Sequence, residues 1–170
     1  MLNSRVIGTA LLAAVSLTPV SCWFYSFSGA TIPSHLSTIA IPLAEDRTIS
    51  TVNGLDENLT QLLVSRFVGQ TRLSLETIEQ EADAVLHTTI NNYQNLPTSV
   101  GGDERATRNR VTVSVAVRYV DSTRNQDILA RSFSGSEEYD PLDPSLEEDA
   151  ARAALEKVAD DIFTAATSNW

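Results

Sequence analysis

The sequence predicts an α+β fold, a two-layer sandwich with a mostly antiparallel or mixed sheet and two helices packed on one face, in the order β-α-β-β-β-α. Three observations predict it. The chain has 170 residues, 42% hydrophobic and 20% charged, the length and composition of one ordinary globular domain. Val111, Val113, Val115, Val117 and Tyr119 alternate with Thr112, Ser114, Ala116 and Arg118, the period of a strand with one buried and one semi-polar face. Only two stretches carry an apolar stripe at helical spacing, too few to cover both faces of a sheet.

The elements follow in order. Thr38–Leu43 places Ile39, Ile41 and Leu43 on one face. Pro42 inside it predicts an edge strand or one that ends early. Asn53–Gly54 reads as a turn or helix cap, and a helix over about Leu55–Gly69 follows. Leu55, Leu59, Leu62, Leu63 and Phe67 share its stripe, Asp56 and Glu57 suit its first turn, and Gly69 is expected to stop it. Leu73, Leu75 and Thr77 predict a second strand, and Ala84, Leu86, Thr88 and Ile90 a third that ends near Tyr93. Asn95–Thr107, with Pro97 and Gly101–Gly102, reads as a polar loop. After the Val111–Tyr119 strand, Asp121–Gln126 reads as a hairpin turn and Asp127–Glu138 as the last strand. Asp143–Pro144 opens the final helix, with Ser145 and Glu148 as a capping box. Ala151, Leu155, Val158, Ile162 and Ala166 hold its stripe. It is about 36 Å long, enough to cross the sheet.

The start of the chain reads differently. Arg5 is the only charge before an apolar run from Val6 to Val20, the form of a secretory signal. The run is shorter than the roughly 20 residues a spanning helix needs. Cys22, the single cysteine, stands where this run stops, with Ser21 before it. That is where bacterial lipoprotein signals place the acylated residue, and more than one acyl chain makes a stable membrane anchor. Pro19 stands at the position where such signals usually have leucine. Cleavage by the ordinary signal peptidase, leaving a spare thiol, is the competing reading. The chain thus divides into a signal peptide (residues 1–21), an N-terminal lipid-anchored segment (22–37) and a single domain (38–170).

Acidic residues number 22 against 12 Lys and Arg, a formal charge of −10, which argues against nucleic acid as the main partner. One cysteine permits neither an internal disulfide nor a cysteine metal cluster. No nucleophile elbow, dinucleotide-binding glycine motif, P-loop or paired-histidine zinc motif is present. His35 and His87 lack companions at ligand spacing. The run Glu137, Glu138, Asp140, Asp143, Glu147, Glu148, Asp149 could attract a hard cation; as a helix start favoured by the dipole it needs no ligand. No catalytic residue, metal or cofactor is therefore expected.

One constellation remains. Arg105, Arg108, Arg110, Arg118, Arg124 and Arg131 lie between the 95–107 loop and the last strand, opposed there by Glu104, Asp121 and Asp127. The guanidinium fork suits phosphate. Arg118 shares a strand face with Thr112 and Ser114, a surface able to bind a phosphorylated amphiphile. Arginines paired with acids of the same chain are the alternative, and at the level of sequence both stand.

These segments also resemble a known family. Cys22-Trp-Phe-Tyr-Ser-Phe-Ser-Gly-Ala30, Thr38-Ile-Ala-Ile-Pro42, Gln70-Thr-Arg-Leu73, Ala82-Asp-Ala-Val-Leu86 with Ile90 and Tyr93, Asn109–Val117, Ser132-Phe-Ser134, Glu138-Tyr-Asp140 and Asp161-Ile-Phe163 with Asn169-Trp170 follow one another as in the LptE (RlpB) family of lipopolysaccharide-assembly lipoproteins, in its Bacteroidetes–Chlorobi form. Pro19 and the Trp23 after the cysteine depart from the family pattern. The resemblance implies a non-enzymatic α/β lipoprotein held in the inner leaflet of the outer membrane. It would plug an LptD-like β-barrel and bind lipopolysaccharide on its way to the outer surface. Basic residues serve this in the family, and Arg105, Arg108, Arg110, Arg118 and Arg131 are the candidates here. A stand-alone periplasmic lipoprotein with another ligand or protein partner is the alternative. A hydrolase using acids of Glu137–Asp149 is a third reading, without a nucleophile motif to support it.

Overall fold

The computed structural model describes residues 31–100 and 106–168. The expected signal peptide (1–21), Cys22 with its following aromatics, Gly101, Gly102, Arg105 and the terminal Asn169-Trp170 lie outside the described residues.

Six strands form one mixed sheet, and two helices cover one face of it. The strands are β1 (Thr38–Ala40), β2 (Glu45–Asp46), β3 (Ser74–Leu75), β4 (Ala84–Val100), β5 (Ala106–Asp121) and β6 (Gln126–Tyr139); the helices are α1 (Leu55–Gln70) and α2 (Leu146–Thr167). The sheet order is β3-β1-β4-β5-β6, with β2 also paired to β4. β4, β5 and β6 form an antiparallel meander, while β1 runs parallel to β3 and β4. The α+β fold class expected from the sequence is the observed one.

The valine alternation does what its period requires. Val111, Val113, Val115 and Tyr119 are fully buried under the helices and Val117 nearly so. α1 sends Leu55, Leu59, Leu63 and Phe67 into the same core. α2 contributes small residues, Ala151, Ala154 and Ala159, between Leu155, Val158 and Ile162. Phe67 joins the layers, edge-on to Tyr119 at 5.8 Å and to Phe163 at 5.4 Å. α2 lies close on β6 because Gly135 faces it: a Cβ there would stand 2.3 Å from the Ala154 carbonyl oxygen.

Four local expectations need correction, and one short strand, β2, went unpredicted. The polar loop 95–107 is instead mostly the end of a long hairpin, since β4 runs to Val100 and β5 starts at Ala106. Its half-buried position 95 carries a polar asparagine, bonded to Tyr139 at 2.6 Å, and Leu96, Pro97 and Thr98 are exposed, so the period-2 signal vanishes. Pro97 fits beside a register shift, where a missing N–H is tolerated. β2 pairs Glu45 and Asp46 with Thr89 and Ile90; both of its side chains are exposed, so it too carries no apolar signal. The expected second strand shrinks to Ser74–Leu75. Gly69 does not stop α1, which runs on to Gln70 and breaks at the extended Thr71. No capping box forms at α2: Ser145 is itself helical, with φ −67° and ψ −25°. Its hydroxyl donates to Asp143 at 2.6 Å. By contrast, the first strand ends before Pro42, and Gly54 caps α1 in the left-handed conformation with φ 72°.

Candidate lipid-binding face

The face of the sheet opposite the helices is covered at its β1 end, where Ala40, Ala82 and Val85 are buried together, and lies open along β5 and β6. On β5 it presents Arg108, Arg110, Thr112, Ser114, Ala116 and Arg118, the alternates of the buried valines. Register sets Thr89 of β4 beside Ala116, and Ser132, Ser134 and Ser136 of β6 beside Ala116, Ser114 and Thr112. The middle of this face is flat because its side chains are short, and it is rich in hydroxyls. Ser114 donates to Ser134 at 3.2 Å, and Ser134 to the Val113 carbonyl at 3.3 Å.

Arginines flank this strip. Arg110 donates to Glu138 at 2.6 Å, and Arg118 to Asp127 at 3.0 Å. Both pairs are exposed. An exposed pair of this kind contributes about 0–1 kcal/mol, so a phosphate can displace the carboxylate at little cost. No carboxylate of a described residue lies within ion-pair reach of the exposed Arg108, whose charge helps lower the pKa of Glu137. Eight residues separate Arg110 from Arg118, about 26 Å along a strand. One phosphate cannot bridge them; a ligand meeting both must be extended or carry charges far apart.

The structure does not bring all the sequence-predicted arginines together. Arg131 pairs in register with Val117, so it projects on the helix side. Its guanidinium stacks 4.4 Å over the Phe133 ring, a cation–π contact at the sheet edge. Arg124 lies in the β5–β6 turn, where its amide donates to Asp121. Arg105 lies outside the described residues.

The acidic run is dispersed among partners. Lys157 donates to Glu137, Arg110 to Glu138 and Arg152 to Glu148. Glu147 accepts from Thr51 at 2.6 Å and from Tyr93 at 2.7 Å. Burial raises the Glu147 pKa, but these hydrogen bonds outweigh it and hold the carboxyl below its ordinary value. Burial, then the Glu147 bond, pushes Tyr93 upward. Among the described residues no three His, Cys, Asp or Glu side chains gather as metal ligands would.

A second cluster, invisible to sequence reasoning, fixes the chain where it enters the domain. Arg72 donates to the carbonyls of Leu36 at 2.6 Å and Ile32 at 3.2 Å, and also to that of Pro33. His35 lies 2.6 Å from the buried Asp121. Asp83 accepts the amides of Ser37 at 2.7 Å and Thr38 at 3.1 Å. These residues are far apart in sequence, and no spacing rule links them. The cluster sits at the Asp121 end of β5. The last described pair of β4 and β5, Val100 with Ala106, is at the other end, about 50 Å away for a strand of this length.

No curated protein matches this sequence. Three solved structures share the fold. Lipoprotein B from Nitrosomonas europaea is 15% identical, with TM-score 0.53, covering 78% of this chain and 82% of its own. The rare lipoprotein B from Shewanella oneidensis is 11% identical, with TM-score 0.52, covering 75% and 92%. A protein from Xanthomonas campestris is 11% identical, with TM-score 0.58, covering 79% and 87%. At such identities the likeness is one of fold. The sequence itself goes further: the family described as LptE, lipopolysaccharide-assembly, matches residues 36–166, which is the whole sandwich from the entry segment to the end of α2. The chain belongs to the LptE lipopolysaccharide-assembly family.

Proposed function

We propose that this chain is an outer-membrane lipoprotein of the lipopolysaccharide transport machinery, of the Bacteroidetes–Chlorobi form. Acylated Cys22 tethers it on the periplasmic side. The domain plugs an LptD-like β-barrel and holds lipopolysaccharide during its insertion into the outer leaflet. The signal-like start and the lipoproteins that share the fold support the tether. Family membership supports the barrel and the ligand.

The observation that carries the ligand reading is the open sheet face. Helices on one side leave a strip of serines, threonines and arginines open along three strands. Arg108 and Arg110 at one end and Arg118 at the other are the proposed phosphate contacts, each able to present a planar fork. The hydroxyls between them donate to sugar or phosphate oxygens. Arg131, on the other face, lies outside this contact set.

Binding of purified lipopolysaccharide to the full-length lipoprotein tests this. Arg110→Glu with Arg118→Glu replaces two charge-assisted contacts of about 1.5 kcal/mol or more each, so affinity should fall at least tenfold. Unchanged affinity would reject the arginine assignment. Purification of the lipoprotein without any barrel would favour the stand-alone periplasmic reading.

A further inference from the structure

The Arg118 end of the open face carries a second basic side chain. In register, His87 of β4 lies directly opposite Arg118 of β5, so their Cβ atoms stand about 5 Å apart on one face. Both residues are exposed. Carboxylates flank the pair. Arg118 donates to Asp127 of β6 at 3.0 Å. Glu79, in a short 3-10 turn over Glu79–Glu81, lies 4.0 Å from Nε2 of His87. Glu45 of β2 stands in register with Thr89 on the same face and is held by Arg47 at 2.7 Å. With His87 neutral, one guanidinium therefore meets two carboxylates, Asp127 and Glu79. At the other end of the strip two guanidiniums, Arg108 and Arg110, meet one paired carboxylate among the described residues, Glu138. The two ends are thus electrically unequal, and the Arg118 end reaches balance only when His87 takes up a proton.

We propose that His87 and Arg118 form a second phosphate station on this face, one that fills when His87 is protonated. The station rests on the reading of the open face as the lipopolysaccharide contact. A protonated imidazole opposite a guanidinium is a like-charge pair and is unfavourable by itself. A phosphate oxygen seated between them, in place of Asp127 on Arg118, turns that repulsion into two charge-assisted hydrogen bonds. Phosphate and proton therefore bind together, each raising the affinity for the other by the same factor. Histidine is the side chain that makes such an exchange between pH 5 and 8. A ligand with well-separated phosphates is then held at the Arg108–Arg110 end at neutral pH and at both ends in mild acid.

Binding of purified lipopolysaccharide to the full-length lipoprotein at pH 7.5 and pH 5.5, in the wild type and in His87→Gln, tests this. One charge-assisted contact amounts to about tenfold in affinity. The two proteins should bind almost equally at pH 7.5, and the wild type about tenfold more tightly than His87→Gln at pH 5.5. The ligand's own phosphates titrate in this range, and the ratio between the two proteins cancels their contribution. The chain has two histidines, so ring NMR signals supply a second readout. At pH 5.5 inorganic phosphate should move the signals of His87 and leave those of His35, which lies 2.6 Å from Asp121, in place. Identical pH profiles for the two proteins, or phosphate-induced changes at His35 alone, would overturn the station while leaving the face reading intact. A wild type that binds lipopolysaccharide at neither pH would overturn the face reading and the station with it.

Discussion

Replacing Gly135 by alanine probes how the two layers meet. The added Cβ would stand 2.3 Å from the Ala154 carbonyl oxygen and 2.9 Å from Val158 Cγ2. Ordinary contact begins at 3.4 Å, so helix and strand must part by about 1 Å. Ala154 and Val158 are both fully buried, and the oxygen belongs to a helix backbone that cannot rotate aside. Overpacking of this kind costs about 1–3 kcal/mol. Loss of glycine's unfolded-state freedom returns about 0.5–1 kcal/mol, leaving a net loss of roughly 1–2 kcal/mol. For a domain of this size that is a fall in Tm of about 4–8 °C. Gly69→Ala is the matched control: nothing lies within 4 Å of its Cβ position, and it sits inside α1, where alanine gains about 0.5–1 kcal/mol. Circular dichroism melts of both variants decide the matter. A Gly135→Ala protein that melts at or above the wild type would refute the close approach of α2 to β6.

Four further outcomes follow from the same geometry. Asp121→Ala removes the acceptor for Thr123, His35 and the Arg124 amide and should cost about 2–4 kcal/mol by urea denaturation at neutral pH. Burial raises the Asp121 pKa, but those same hydrogen bonds outweigh it and hold the carboxyl below its ordinary 3.8. Its stabilisation is therefore complete above that ordinary value and is lost as pH falls through the lower folded value; wild-type stability should drop in acid, and the Asp121→Asn variant should lose part of that slope. Arg131→Glu should leave lipopolysaccharide affinity of the full-length protein unchanged, because its side chain stacks on Phe133 behind the proposed binding face; a tenfold loss would place the ligand on the wrong face. Glu147→Ala frees Thr51 and Tyr93 and should speed amide hydrogen exchange in residues 51–53. Intact-mass measurement of the membrane-extracted protein should show Cys22 carrying acyl chains and the first 21 residues gone; an unmodified thiol would contradict the tether.

How far the fold was legible depends on where water is. Val111–Tyr119 could be read because the helices bury one of its faces and leave the other wet. β4 became unreadable beyond Tyr93, where the inward position is a polar Asn95 bonded to Tyr139 and Leu96 is exposed; hence the expected loop that is instead a pair of strands. β2, with both side chains exposed, gave no signal for the same reason. Of the candidate site, Arg118 could be set on one face with Thr112 and Ser114 by parity; the same parity extends to Arg108 and Arg110, which had been grouped by charge alone. The parity of Arg131 with the apolar Phe133 carried the opposite message, and charge clustering concealed it. The contacts that seat the entry segment, Arg72 on three carbonyls and His35 on Asp121, join positions up to 86 residues apart. Only the folded topology shows them.

The central claim is that this family member works as part of an envelope assembly that moves lipopolysaccharide through a barrel. Affinity purification of the native, full-length protein from outer membranes, with mass spectrometry of what it retains, tests this most directly. The account predicts a large β-barrel protein in near-equal amount, together with lipopolysaccharide. Recovery of the lipoprotein from those membranes with neither would contradict it.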